Sequence, residues 1–147
     1  MIDIKNEVDS LADYISDNLS EVKILKKSPI KYNSGDLLIR FVKGSTESET
    51  GFHYRLDHSF QIVYYGASDL DCISKMGQVQ HFFGDKVSIP LEGDESRYLG
   101  IESFSLSQAF QTETTGIYAI IGIVEVSIRQ ARSYEQATKI QNVEARY

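Results

Sequence analysis

The sequence predicts an α+β fold: a single, mostly antiparallel, twisted sheet of about six strands with two main helices packed on one face. Three observations carry this. Ile4, Val8, Leu11, Ile15 and Leu19 recur at steps of four, three, four and four, which is one face of a 3.6-residue period. Between residues 52 and 64 the even positions Phe52, Tyr54, Leu56, His58, Phe60, Ile62 and Tyr64 are apolar or aromatic at six of seven, and the odd positions are apolar at one of six. Only a strand with one buried and one wet face gives that contrast. Ser68, followed three residues on by Asp71, resembles a capping box at the head of a second helix, with Asp in the place of the usual Glu.

Taken in order, the first helix has Asp3 or Asn6 to cap it, with Glu7, Asp9, Asp13 and Asp17 on its solvent side. Residues 22–26 alternate as a short strand, which Ser28-Pro29 interrupts because proline lacks the ladder donor. The turn cluster Asn33-Ser34-Gly35-Asp36 leads to a strand over 37–43, with Leu37, Ile39 and Phe41 on one side. Residues 44–51 hold no apolar side chain between two glycines and read as a mobile hairpin tip, so deleting 45–50 is expected to leave the fold intact.

The second helix carries Leu70, Ile73, Met76 or Gly77, Val79 or Gln80, and Phe83 on its face, and stops at Gly84. A short strand over 86–90 and a polar loop over 91–97 follow. Residues 98–111 read as a strand whose phase breaks near Gly100-Ile101-Glu102, where a bulge fits. After the turn 112–116, residues 117–129 are apolar on both phases at first and on one later, as in a central strand whose outer face is partly covered by a helix. One domain thus spans 1–132, and 133–147 is a C-terminal arm or short helix.

Composition excludes several functions. The 147 residues are 41% hydrophobic and carry net charge −6, against the basic footprint of a nucleic-acid binder. The acid-bearing start MIDIKNEVDS lacks the apolar core of a cleaved signal, and no apolar run approaches the roughly 20 residues of a membrane span. A single cysteine makes no internal disulfide and fits a reducing cytoplasm.

Chemical motifs are sparse. Cys72 and His81 stand nine residues apart on the second helix, hence on opposite sides, and no pair has metal-ligand spacing. There is no GxSxG, and Cys72 has no basic neighbour to lower its pKa, so it reads as a packing residue. His58, on the apolar phase, reads as a hydrogen-bonded core or interface histidine. GxGxxG and GxxxxGK[ST] phosphate cradles are missing. Lys26, Lys27 and Lys31 suit a solvated strand edge, where lysine discourages pairing. No catalytic, cofactor-binding or metal residue is assigned. Tyr64-Tyr65 and Phe82-Phe83 each place one ring off the inner phase. Tyr65 and Phe82 are therefore candidate interface aromatics, or members of a satellite cluster under a loop.

In order and length these elements resemble the tail-terminator (tail-to-head joining) proteins of long-tailed bacteriophages. The likeness runs from the amphipathic first helix, through the strand ending Ile62-Val63-Tyr64-Tyr65 and the helix opening Ser68-Asp69-Leu70-Asp71, to the strand closing Ile123-Val124-Glu125-Val126-Ser127-Ile128-Arg129. It covers about residues 1–130 and rests on polarity patterns without a catalytic signature. The resemblance implies a non-enzymatic virion protein, made in the bacterial host cytoplasm. It would form a hexameric ring that caps the tail tube and joins it to the head. Its partners would be its own copies, the tail-tube protein and the head-completion or neck protein. DNA would pass the acidic lumen without specific binding, because phosphate contacts are what hold DNA. Glu47 and Glu49 in one polar segment, and Glu92, Asp94 and Glu95 in the other, are candidate lumen or docking residues. The alternatives are a neck or tail-tube subunit or, in a different class, a cytoplasmic α+β ligand-binding domain or small enzyme.

Overall fold

The computed structural model describes residues 3–132, without the side chains of 94–96. Helix α1 (Ile4–Asn18) begins at Asp3, whose carboxylate accepts the Asn6 amide at 3.1 Å while Asn6 Oδ1 accepts the Asp3 amide at 3.1 Å. This reciprocal cap satisfies two helix-start donors. Strands β1 (Lys23–Leu25), β2 (Asp36–Ser48) and β3 (His53–Gly66) precede α2 (Asp69–Gly84), which Ser68 caps by accepting the Asp71 amide, while the Asp71 carboxylate accepts the Ala67 amide and the Tyr64 hydroxyl instead of closing a capping box. Strands β4 (Ser88–Leu91), β5 (Asp94–Leu106), β6 (Phe110–Gln111) and β7 (Tyr118–Ala131) complete one sheet in the order β1-β2-β3-β7-β5-β4, with β6 beside β7. The β1–β2 pair is parallel and every other pair antiparallel. The α+β class with one sheet and two helices is as the sequence predicts.

Both helices lie on one face. Leu11 and Ile15 of α1, Met76 and Phe83 of α2, and Ile39, Phe60 and Ile62 of the sheet are almost fully buried together. Each such side chain contributes about 1.5–3 kcal/mol by leaving water. Tyr14 pins the helices to each other: its hydroxyl donates to the Phe82 carbonyl, and its ring meets Phe82 edge-on at 5.4 Å. The sheet curls so that β2 and the far strand β4 both reach α1. There Ser10 Oγ donates to the Asn6 carbonyl and accepts the Glu92 amide, both at 2.7 Å.

β7 is central, as its double apolar phase implies, but the cover on its outer face is not a helix. Leu38, Val63 and Ala119 are sealed there by Leu25, Tyr32, Tyr65 and Ile121. The connection after β1 brings Tyr32 across, stacked on Tyr65 at 4.0 Å, and is fastened by Gly35 donating to the Tyr65 carbonyl at 2.7 Å.

Other expectations are corrected. The segment 44–51 is mostly strand: β2 stays paired with β3 through Ser48↔Tyr54. Its polar side chains are exposed on both faces, so no apolar alternation marks it. The loop expected at 91–97 is a tight turn at Glu92-Gly93, because Leu91 already pairs with Asp94; Gly93 takes φ +90°, a conformation glycine adopts without strain. On α2 the buried positions are Cys72, Met76, Val79, Phe82 and Phe83, whereas Leu70 and Ile73 face out. Glu7, expected in solvent, is 1% exposed, and Ile4 at the start of the predicted stripe is exposed instead. Residues 98–111 divide between β5 and β6, with the expected bulge between Ile101 and Ser103. The C-terminal arm 133–147 lies outside the described residues.

Candidate functional site

Because both helices occupy one face, the other face of the sheet carries no helix. It has two halves. The upper half, toward the β3–α2 junction, is the aromatic and aliphatic cluster under Tyr32, bordered by a trough of ≈ 350 Å³ that includes Arg40, Phe110 and Ile117. The lower half is polar. Lys43, Ser45, Arg55, Asp57, Ser59, Glu102 and Glu125 line an open hollow of ≈ 430 Å³.

Most charges of the polar half are engaged, by an ion pair or by serine hydroxyls. Arg55 grips Asp57 through two nitrogens at 2.9 and 3.1 Å, and this carboxylate holds the guanidinium pKa up. Glu125 accepts Ser103 Oγ at 3.0 Å and Ser59 Oγ at 3.4 Å, and Glu102 accepts Ser127 Oγ at 2.5 Å. Among the described residues no group of three or more His, Cys, Asp or Glu is arranged to hold a metal ion. Burial pushes the Cys72 thiol pKa up, opposite to what a reactive thiolate needs.

The predicted site residues divide. Glu47 lies exposed on β2, opposite Arg55. Glu49 is held by Arg129 at 2.7 and 3.2 Å, a contact that lowers its carboxyl pKa. The hairpin tip is further tied by Arg132, which donates to the Thr50 carbonyl at 3.1 Å and Ser48 Oγ at 2.7 Å. Glu92 is exposed beside Asp13, whose hydrogen bond and charge raise its pKa. The side chains of Asp94 and Glu95 lie outside the described residues. Both acidic turns stand at the end of the sheet where β7 finishes: His53 pairs with Ala131, and Arg97 bonds Gln130 at 3.0 Å. Tyr65 is on the helix-free face and half-buried against Tyr32. Phe82 is a correction: it is 8% exposed, because Tyr14 crosses from α1 and covers it.

Sequence reasoning missed the free edge of β2. β1 pairs only with Asp36, Leu37 and Leu38, so residues 39–48 have no strand on that side among the described residues. Phe41 and Val42 on this edge are 40% and 50% exposed. The signal was the shortness of the alternation before Ser28-Pro29, set against the length of the strand that follows.

Comparison with protein-family profiles matches none of them, and no curated protein is similar to the chain. No helix among the described residues is long and apolar enough to cross a membrane.

Proposed function

We propose that this chain is a structural, non-enzymatic subunit of a virion, forming a ring at the head–tail junction of a long-tailed bacteriophage: a tail terminator. The observation that carries the reading is a sheet clad by helices on one face, free of them on the other, and flanked by a strand edge over residues 39–48 on which Phe41 and Val42 are exposed. Native monomers ordinarily cover or blunt such edges. The order of elements resembles the terminator family, and two acidic turns, around Glu47 and Glu49 and at Glu92, share one end of the sheet. In the ring these turns face the lumen or the docking partner, where negative charge repels DNA phosphates and lets the genome pass without specific binding. The tail-tube protein and the head-completion protein are the partners on the two rims.

Light scattering of the purified chain, negative-stain imaging and a tube-growth assay test this together. A hexameric ring that arrests elongation of tail tubes is the expected result. A chain that stays monomeric at high concentration and leaves tube growth unchanged overturns the reading.

A further inference from the structure

Among the described residues two stretches of strand edge are bare, and they match. The register runs across the sheet as Phe41–Phe60–Val124–Phe104 and Lys43–Ser59–Glu125–Ser103. The open edge of β2 and the outer edge of β5 therefore stand at the same level. The two strands also run in opposite directions, because three antiparallel steps separate them. β4 pairs with β5 only as far as Gly100, after which Ile101 donates to the Val87 carbonyl at 2.9 Å. Beyond that point β5 borders a groove of ≈ 300 Å³ lined by Phe83, Gly84, Val87, Glu102 and Phe104 among others. Val87 is 86% exposed. Both edge strands carry a register shift at this level, at Phe41/Lys43 and at Ile101/Ser103.

We infer that the β2 edge of one copy adds, antiparallel, to the β5 edge of a second copy, with Phe41 and Val42 seated in the groove beside Val87 and Phe104. The occupant is this chain itself because the edges are complementary in charge as well as direction. At the level of Phe41 the β2 edge carries Arg40 and Lys43, with Glu47 farther toward the hairpin tip; there the β5 edge carries Glu102 among serines, and Lys86 lines the groove beside Val87. Pairing of β2 with another β2 about Phe41 and Val42 would set Arg40 against Lys43, and like charges across a ladder destabilise it. A patch that meets a different patch is a heterologous contact, which generates a ring when its rotation closes. The inference rests on the self-assembling reading above and names its interface.

Val42→Glu spoils the strand edge and Val87→Glu the groove, both at exposed positions. Masses of each full-length variant, and of their equimolar mixture, are measured by light scattering, with circular dichroism melts to verify folding. The wild type is expected to be an oligomer, and each variant to dissociate to monomer, roughly tenfold or more weaker in association. The mixture is expected to give a one-to-one dimer, since the groove of V42E still accepts the edge of V87E. Wild-type mass in both variants overturns the interface and leaves the ring reading standing. Oligomers of V87E alone, without a mixed dimer, overturn it in favour of β2–β2 pairing. A monomeric wild type at every concentration overturns the interface, and the ring reading falls with it when tube growth is unchanged as well.

Discussion

Glu7 of α1 and His58 of β3 meet in the core: His58 Nδ1 lies 2.7 and 3.0 Å from the two Glu7 carboxylate oxygens. The residues are 1% and 7% exposed. The rings of Phe41 and Phe60 stand edge-on to the imidazole at 5.5 and 6.3 Å. This contact ties the first turns of α1 to the middle of the sheet.

Breaking the pair from one side leaves a buried charged or polar group without a partner. His58→Ala is expected to cost about 3–5 kcal/mol in urea unfolding, whereas Glu7→Leu combined with His58→Phe costs less than either single change, because it removes both groups together.

Acidity reads the same contact. Burial raises the Glu7 pKa, against the opposing hydrogen bond and charge of His58 and with a smaller push from Asp3. A raised pKa means that the folded state holds the proton more tightly than the unfolded chain. The stability this contributes is full below the ordinary carboxylate range, near pH 4, and is lost as pH rises through the raised folded value. Glu7→Gln removes that term. The stability of the wild type relative to the variant therefore falls on going from pH 4 to pH 7, measured by chemical denaturation at each pH. A difference that does not change with pH refutes this.

Gly44 is the floor beneath the imidazole. A Cβ there would lie 2.6 Å from His58 Cδ2 and 3.2 Å from Phe41 Cζ. Gly44→Ala is expected to destabilise by about 1–3 kcal/mol through overpacking. It should also displace the His58 ring resonances in NMR spectra, which a loss of backbone freedom alone would not do.

The rotation of α2 gives a fourth test. Met76 is fully buried, while Leu70 and Ile73 are 78% and 53% exposed. Met76→Ala is expected to cost about 2–5 kcal/mol, and Leu70→Ser or Ile73→Ser to stay within about 0.5 kcal/mol. Thermal melting of the three variants checks the order.

A fifth concerns the hairpin. Deleting residues 45–50 removes residues 45–48 of β2, which pair with β3, together with the Thr50 carbonyl that accepts Arg132 and the Glu49 carboxylate that accepts Arg129. The deletion is expected to lower the melting temperature by several degrees, contrary to what a solvated loop would give.

The sequence by itself determined the elements that report their own burial. Asp3 or Asn6, and Ser68 followed by Asp71, mark both helix starts, because capping is a short-range hydrogen bond. The strict alternation of β3 and the double apolar phase of β7 mark one half-buried strand and one central strand. These are local signals, because the side-chain period of an element is set by its own backbone. Tertiary structure decided the rest. Polar residues 44–48 become strand only because β3 offers them a ladder, and a strand wet on both faces has no apolar period to show. α2 had two usable stripes, and packing of Met76 and Phe83 against the sheet selected the one that also takes in Cys72 and Phe82. Glu7 is buried because a histidine fifty-one residues away supplies its partner, and the open β2 edge exists because β1 ends after three residues. In each case the deciding free energy lies between residues distant in sequence, which no periodicity within one segment records.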